Sequence, residues 1–254
     1  LALHGKKSFD TDRKIDWNAL IQMAEKHKVL PFLFDILQGA DLPQEQQKIL
    51  QKKGQQTVQQ SYRLLFLSKS IIEELKEYGI DAILLKGSGV AALYPVPEYR
   101  KSGDIDILMK NKEEAERACK ILEKRGFCKK EYQAAHHHIA CSGVDGIEME
   151  LHVTLAEPFD SEKTNTYLKQ CQASFFEHRK SQDVMGVTFE LAADAYQAFY
   201  LLLHMLQHFL RAGFGLKLLC DWVVFWEKPV RKEEKKRRAI RLARRLFLLY
   251  ADME

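Results

Sequence analysis

The sequence lacks both a long apolar run and any closely spaced cysteine pair. Its apolar stretches, such as residues 199–203, are far too short to cross a bilayer, so we expect no membrane partner. The 5 cysteines are odd in number, scattered, and never arranged as Cys-x-x-Cys. This usage gives no sign of a cysteine-based zinc site and is typical of reduced, mostly buried thiols, which predicts a cytoplasmic location.

A secretory signal is also missing, because the first residues, LALHGKKSFD, contain no apolar core followed by a cleavage site. They lack a starting Met as well, which leads us to expect a trimmed or partial chain. The remaining composition is ordinary for a globular protein, with 46% hydrophobic residues, 29% charged residues and a net charge of +4 over 254 residues. This length suits one large domain or two small ones, and the oligomeric state stays open.

The periodicity of apolar residues divides the chain into three predicted regions. Residues 1–79 show helical spacing, with Asp16 as a cap, Pro31 at the start of a second helix, and then a long helix or a broken pair. Residues 80–160 alternate strands with helices, which predicts an α/β (α+β) core around a small mixed sheet. Residues 161–254 return to helices, so helical regions are expected on both sides of the core.

Two aspartates lie one residue apart in the predicted strand DIDILM. Because alternate side chains of a strand share a face, Asp104 and Asp106 point to one side, and Ile105 and Ile107 point to the other. Ionised carboxylates inside an apolar run are costly unless a cation compensates them. The pattern therefore predicts a cation at this strand.

A second predicted strand, IEMELHV, repeats the arrangement. Its apolar positions alternate with Glu148, Glu150 and His152, which share the opposite face. Carboxylates gathered from two strands repel one another unless cations lie between them. Mg²⁺ is the natural partner because it takes hard oxygen ligands and shares them with substrate phosphates. A pair of such ions about 4 Å apart clamps the attacking and leaving oxygens of a phosphoryl displacement.

The stretch ILLKGSG places a turn between an apolar strand and the helix VAALY. The turn consists of Gly87, Ser88 and Gly89, and backbone N–H groups at a helix N-terminus favour phosphate oxygens. Glycine lets a phosphate approach closely. Lys86 either reaches a phosphate as a point charge or bends into water as a strand-end lysine. A phosphate cradle beside metal carboxylates predicts a nucleotide bound with magnesium.

This order of elements resembles the polymerase-β nucleotidyltransferase superfamily: strand, Gly-Ser turn, short helix, Asp-x-Asp strand and a later acidic strand. The sequence pattern LLKG…LYP.P..R…DIDIL…H…(I)E.ELH is similar to that of a little-characterised bacterial nucleotidyltransferase family within this superfamily. The resemblance covers residues 84–155 and extends loosely to HMLQHFLRAGFGLKLLCDW. It implies transfer of a nucleoside monophosphate from a nucleoside triphosphate (NTP) to an unidentified acceptor hydroxyl, with two Mg²⁺ ions or Mn²⁺ in their place.

By position, the resemblance makes Asp104 and Asp106 ligands of both metal ions. Glu150 becomes the third carboxylate, which binds the catalytic metal and helps to activate the acceptor hydroxyl, with Glu148 as its rival. The Gly-Ser turn then holds the β- and γ-phosphates. The inserted segment YPVPEYRKSG lengthens the gap before the aspartates, and it either holds Arg100 and Lys101 over the triphosphate or distorts the site. Arg100 has the fork geometry that suits phosphate, and the alternative is an exposed loop arginine.

The three consecutive histidines at positions 136–138 invite a metal interpretation. Strand geometry puts His136 and His138 on one face, and the register of the following hairpin decides whether they meet His152. Zinc is one ion that these histidines could bind, although the sequence shows no obvious fourth side chain to coordinate it. Contact with the acceptor or a phosphate is a second reading, and a partly buried polar patch is a third.

Second-tier candidates come from the region that resembles the helical part of the family. His204 and His208 lie one helical turn apart, without the glutamate typical of a helical zinc motif, and we expect them to edge a cleft. Lys217 and Asp221 have the spacing of a helix pair.

Two other functions remain open at the level of sequence. One is a catalytically inactive, nucleotide-binding regulatory module, suggested by the insertion and by the uncertain third carboxylate. The other is nucleic-acid binding through the basic tail KPVRKEEKKRRAIRLARRLFLLY, which is possible but not favoured. Acidic residues dilute the tail, and it has no interleaved aromatic residues for base stacking, so a solvated helix face is the safer interpretation.

Overall fold

The computed structural model describes residues 15–130, 137–143, 145–211, 213, 215–227 and 232–251, and over these residues the chain is a mixed α/β protein. The helices are α1 (Trp17–Lys26), α2 (Leu30–Ile36), α3 (Gln44–Glu77), α4 (Ser88–Ala91), α5 (Lys112–Glu123), α6 (Glu162–Glu177), α7 (Asp194–Arg211), α8 (Leu216–Glu227) and α9 (Lys232–Ala251). The strands are β1 (Ala82–Leu84), β2 (Asp104–Met109), β3 (Cys128–Lys129), β4 (His138–Ser142), β5 (Glu148–His152), β6 (Arg179–Val184) and β7 (Val187–Ala192). The predicted fold class is confirmed.

The N-terminal helices begin where their capping residues predict. The Asp16 side chain accepts a hydrogen bond from the backbone of Ala19 and caps α1, and Pro31 lies in the first turn of α2. The segment read as a long helix or a broken pair is one continuous helix of 34 residues, α3. Gly79, at φ +70°, follows its end and gives the chain the left-handed turn that leads into β1.

The central sheet has the strand order β1-β2-β5-β4-β3. Strand β2 pairs antiparallel with β1 on one side and parallel with β5 on the other, and β4 is antiparallel to β5. The two acid-bearing strands, β2 and β5, are therefore neighbours in the middle of the sheet. Helix α5, which the Asn111 side chain caps as expected, packs against this sheet.

Apolar side chains fix which way the acidic face points. Ile105, Ile107, Met149 and Leu151 are buried in one core with the C-terminal half of α3 and with α5. The alternate positions of β2 and β5 must then face the other side of the sheet. This core also contains Leu191 of β7, so all three predicted regions of the sequence contribute to it. The division into regions 1–79, 80–160 and 161–254 stays a prediction.

Residues 161–192 contain one helix, α6, and a hairpin that was not predicted. Ser161 caps α6 by accepting a hydrogen bond from the backbone of Thr164. Strands β6 and β7 form an antiparallel hairpin whose turn residues, Met185 and Gly186, both have positive φ values. The third region is therefore not purely helical.

Helices α7, α8 and α9 complete the structure. Phe199 and Leu203 of α7 share a core with Leu246 of α9, so the basic tail forms a helix with one face packed inward. The start of that tail, residues 228–231, lies outside the described residues. Among the described helices, none combines the length and the apolar character needed to cross a bilayer.

Candidate active site

A cleft of about 630 Å³ opens over the polar face of β2 and β5. This volume falls within the roughly 300–1,000 Å³ of typical ligand pockets. Its acidic lining residues are Asp104, Asp106, Glu148 and Glu150, and its basic ones are Lys26, Lys28, Lys86, Arg100, Lys101, Lys130 and Lys217. Basic groups outnumber acidic ones among the described lining residues, so the cleft as a whole attracts anions.

The parallel register of β2 and β5 brings together acids that are far apart in the sequence. Asp104 lies opposite Glu148, and Asp106 lies opposite Glu150. His152 is two residues beyond Glu150 on the same face, and one ligand atom from each of Asp106, Glu150 and His152 lies within 4.8 Å of the others. Among the described residues, Asp104 is not part of this group, although it lines the same cleft.

Asp106 is compensated by two cationic or hydrogen-donating side chains. Lys86 Nζ and His152 Nε2 each lie 3.0 Å from Asp106 Oδ1. Burial alone would raise the pKa of the Asp106 carboxyl, but Lys86 and His152 outweigh burial and hold this pKa well below its usual range. For Asp104, burial and the nearby Asp106 charge raise the pKa, so this second carboxylate lacks comparable compensation.

The other oxygen of the Asp106 carboxylate fits a metal ligand. Oδ2 is buried and has no hydrogen-bond partner, which is costly for an ionised oxygen. A divalent cation held by Asp106 and Glu150, with Asp104 at the cleft, satisfies this oxygen with the oxygen ligands that Mg²⁺ prefers. The donor set therefore fits the cation expected from the sequence.

The structure separates the two glutamates that competed for the role of third carboxylate. Glu148 is hydrogen-bonded by Lys130 and by Ser142 Oγ, the latter at 3.0 Å. Glu150 instead has its Oε2 atom 3.2 Å from His152 Nε2, and it lies opposite Asp106 in the sheet. Burial would raise the pKa of Glu150, but His152 more than offsets it and lowers this pKa, so Glu150 is ionised at neutral pH.

The residues of the Gly-Ser turn have different surroundings. Gly87 borders the cleft at φ +61° and ψ −121°, a conformation that residues with a side chain rarely adopt. Ser88 is buried and is not among the described residues that line the cleft. The backbone N–H of Gly89 donates to the backbone carbonyl of Lys86 at 3.2 Å. A Cβ atom at Gly89 would lie 3.3 Å from the Leu191 side chain.

Arg100 lines the cleft and is held by a buried hydrogen-bond network. Its Nε and Nη2 atoms each donate to one carboxylate oxygen of Asp221 at 2.7 Å, and Nη1 donates to the Gly87 carbonyl at 3.0 Å. Asp221 Oδ1, the oxygen that Arg100 Nε contacts, also accepts a hydrogen bond from the Tyr94 hydroxyl at 2.6 Å. Arg100 is only 2% exposed, so this guanidinium ties α8 to the Gly-Ser turn and is not an exposed loop arginine.

The second-tier residues of α7 and α8 form one wall of the cleft. His204 and His208 both line it, with ring centroids 4.5 Å apart, and burial lowers the pKa of His204 to about 2. Lys217 lines the same wall, where burial and the neighbouring Arg100 lower its pKa to about 8. Asp221 does not form the expected pair with Lys217, because both of its carboxylate oxygens bind Arg100.

Comparison with known families identifies the family of the chain. The sequence pattern of a family described as uncharacterised nucleotidyltransferase matches residues 13–251, nearly the whole chain. The protein belongs to this nucleotidyltransferase family. The resemblance drawn from the motifs of residues 84–155 is thereby confirmed.

Other comparisons add little to the family assignment. Among solved structures, the chain is similar to an antigenic nucleotidyltransferase-like protein from Paracoccidioides brasiliensis, with 16% identity and a TM-score of 0.40. The similarity covers 74% of this chain and 90% of that one. A search of curated proteins found no significant match.

In this member of the family, part of the cleft is formed by residues that sequence reasoning missed. Lys26 and Lys28 line it from the end of α1, and Lys28 has an unusual φ of +59°. His27 accepts the backbone N–H of Lys217 at 3.3 Å, which joins α1 to α8. No local motif marks these residues, since their position depends on packing between the two ends of the chain.

Proposed function

We propose that the protein transfers a nucleoside monophosphate from an NTP to an acceptor hydroxyl and releases pyrophosphate, with divalent metal ions bound at the acidic cluster. One observation carries the proposal: Asp106 and Glu150 lie opposite each other on parallel strands, and a buried, unpartnered oxygen of Asp106 belongs to this group. The basic cleft above them and the membership of the family support the same reaction.

Each acid has a separate proposed task. Asp106 and Asp104 bind the metal ions, and Mg²⁺ when bound supplies charge neutralisation to the phosphoryl oxygens. Glu150 is a metal ligand, a role that suits its lowered pKa because the carboxylate stays ionised. From its position at the cleft it also accepts the proton of the acceptor hydroxyl. Lys86, whose pKa is raised by Asp106 despite its burial, stays charged and holds Asp106 in place.

The triphosphate is proposed to lie along the basic part of the cleft. Lys217 and Lys101 line this part together with Gly87, whose lack of a side chain leaves room for a phosphate. Arg100 acts as a positioning residue, because its donors already contact Asp221 and the Gly87 carbonyl. Catalysis then depends mainly on orientation and on electrostatic stabilisation of the transferred group.

The test measures pyrophosphate release from each of the four NTPs with Mg²⁺ and a panel of hydroxyl acceptors. The panel contains small alcohols, amino sugars, an RNA 3′ end and a hydroxyl-bearing peptide. We expect release with one acceptor class and its loss in the Asp104→Asn/Asp106→Asn double variant. Equal rates in the wild type and in this double variant would refute the proposal.

A second candidate function is nucleotide binding without catalysis. It is favoured by the compensation of Asp106 by Lys86 and His152, because these side chains stabilise the carboxylate even without a metal ion. This alternative predicts saturable binding of a triphosphate whose phosphates stay intact. Incubation with labelled NTP and Mg²⁺ decides between the two, since any turnover rejects a purely regulatory module.

A further inference from the structure

Three imidazoles form a cluster next to the acidic group. One ring nitrogen from each of His137, His138 and His152 lies within 4.8 Å of one in each of the other two. Their ring centroids are 4.7, 5.1 and 5.5 Å apart. The first histidine of the run, His136, lies outside the described residues.

The backbone holds these three side chains together. His138 lies directly opposite His152 in the antiparallel pair of β4 and β5, so their side chains share a face at cross-strand distance. The carbonyl of His137 accepts the backbone N–H groups of Val153 at 2.8 Å and Thr154 at 3.3 Å. Two of the three histidines therefore lie on paired strands, and the third, His137, is the residue just before β4, tied by its carbonyl to the end of β5.

Two of the imidazoles contain a buried nitrogen without a hydrogen bond. Nδ1 of His137 and Nδ1 of His152 are buried, and neither has a hydrogen-bond partner. The nearby acid Glu157 has its Oε1 3.8 Å from His137 Nδ1, beyond hydrogen-bonding distance. An unsatisfied buried polar atom costs about 1–3 kcal/mol, so a ligand that bound both nitrogens would stabilise this cluster.

We propose that His137, His138 and His152 bind a transition-metal ion of the zinc type, at a site distinct from the magnesium carboxylates. Neutral imidazole nitrogen is a ligand that zinc and similar ions favour, whereas Mg²⁺ selects oxygen. Three histidines and one open position form a common zinc coordination set. The side chains of His137 and His138 are 12% and 17% exposed, which gives an ion access from solvent.

The surroundings of His152 match a metal-bound histidine. Its Nε2 lies 3.0 Å from Asp106 Oδ1, so the N–H at this nitrogen donates to the carboxylate. A metal ion binds the neutral form of the ring, and in that form the lone pair lies on Nδ1, the buried nitrogen without a partner. Histidines that ligate metals commonly donate their other N–H to a carboxylate in this way. His152 thus links the two proposed sites through Asp106.

The experiment uses the full chain, stripped of metal with a chelator and titrated with Co²⁺ in a large excess of Mg²⁺. We expect one Co²⁺ per chain with visible d–d absorption, since excess Mg²⁺ saturates the carboxylates but competes poorly for imidazoles. His137→Gln and His138→Gln should each weaken Co²⁺ binding by at least about 100-fold, because loss of a ligand exceeds the 10–100-fold effect of losing an outer partner. His178→Gln changes an exposed histidine elsewhere and should leave binding unchanged.

The outcomes are decisive even if a variant fails to fold, which circular dichroism would show. X-ray absorption of the zinc-loaded wild-type chain counts imidazole ligands directly and needs no substitution. Three imidazoles per zinc support the proposal. Any of three results would overturn it. Mg²⁺ displaces Co²⁺ from the chain, the folded histidine variants bind Co²⁺ as tightly as the wild type, or the absorption spectrum shows no imidazole bound to zinc.

Discussion

Lys86 Nζ lies 3.0 Å from Oδ1 of Asp106, and the two side chains are 14% and 0% exposed. The cation that the Asp-x-Asp strand requires is therefore, in part, a lysine from the same chain, twenty residues upstream. The contact joins the end of β1 to the middle of β2 and leaves the second oxygen of Asp106 for another ligand. Lys86 thus compensates the charge of Asp106 at Oδ1, while Oδ2 can bind another ligand.

Removal of this lysine should destabilise the fold. We expect Lys86→Met to lower the free energy of unfolding by about 3–5 kcal/mol, because it leaves a buried carboxylate without its ammonium partner. Urea denaturation followed by circular dichroism measures the change. The matched control is Lys112→Met, which removes a 55%-exposed lysine from a surface pair and should cost less than about 1 kcal/mol. Equal losses in the two variants would contradict this account of Asp106.

The buried pair of Arg100 and Asp221 should also be important for stability. Asp221→Asn leaves a guanidinium with 2% exposure without its counter-charge, so we expect a loss of about 3–5 kcal/mol. Arg100→Lys should also destabilise, since an ammonium cannot donate to both carboxylate oxygens as the guanidinium does. Thermal denaturation checks both variants. Arg211→Gln, which removes a 53%-exposed arginine from a pair with Glu157, is the control and should change stability by less than about 1 kcal/mol.

Binding of the triphosphate should depend on pH through Lys217. Its pKa is lowered to about 8, so this ammonium loses its proton well below the ordinary lysine range. We expect affinity to be constant below this pH and to fall by up to about tenfold per pH unit above it, as the positive charge disappears. Isothermal titration with a non-hydrolysable triphosphate gives the profile. Lys217→Arg keeps the charge and should remove the decline; a decline that persists in this variant would assign it to another group.

The two glutamates of β5 should differ sharply in their effect on catalysis. Glu150→Gln removes the carboxylate that lies opposite Asp106, and we expect kcat to fall by about 10²–10³-fold. Glu148→Gln should have a small effect, because Glu148 is bound by Lys130 and Ser142. Rates of pyrophosphate release with Mg²⁺ compare the two. A larger loss from Glu148→Gln would exchange their roles.

Features that depend on neighbouring residues could be predicted from the sequence. Asp16 and Asn111 cap their helices as expected, since a cap involves only the next turn of chain. The alternation in DIDILM and IEMELHV correctly placed Ile105 and Met149 in the core, because strand geometry has a period of two. The hairpin of β6 and β7 was missed, although the alternation of residues 187–191 after Gly186 carried its signal.

Features that depend on distant residues could not be predicted. Arg100 and Asp221 are 121 residues apart, and the spacing of Lys217 and Asp221 suggested a helix pair instead. The position of β5 next to β2 in the sheet could not be predicted either, since the sequence contains no signal for strand order. Residues at the end of α1 lacked any motif because their place at the cleft follows from tertiary packing.

The placement of β5 beside β2 has a consequence for biosynthesis. As the ribosome releases the chain, β2 emerges more than forty residues before Glu150 and can pair at first only with β1. A nascent chain therefore has its two aspartates without the glutamate or the histidine that complete their surroundings. A product truncated before residue 148 has no means of assembling the acidic cluster, which comes together only when translation has passed β5.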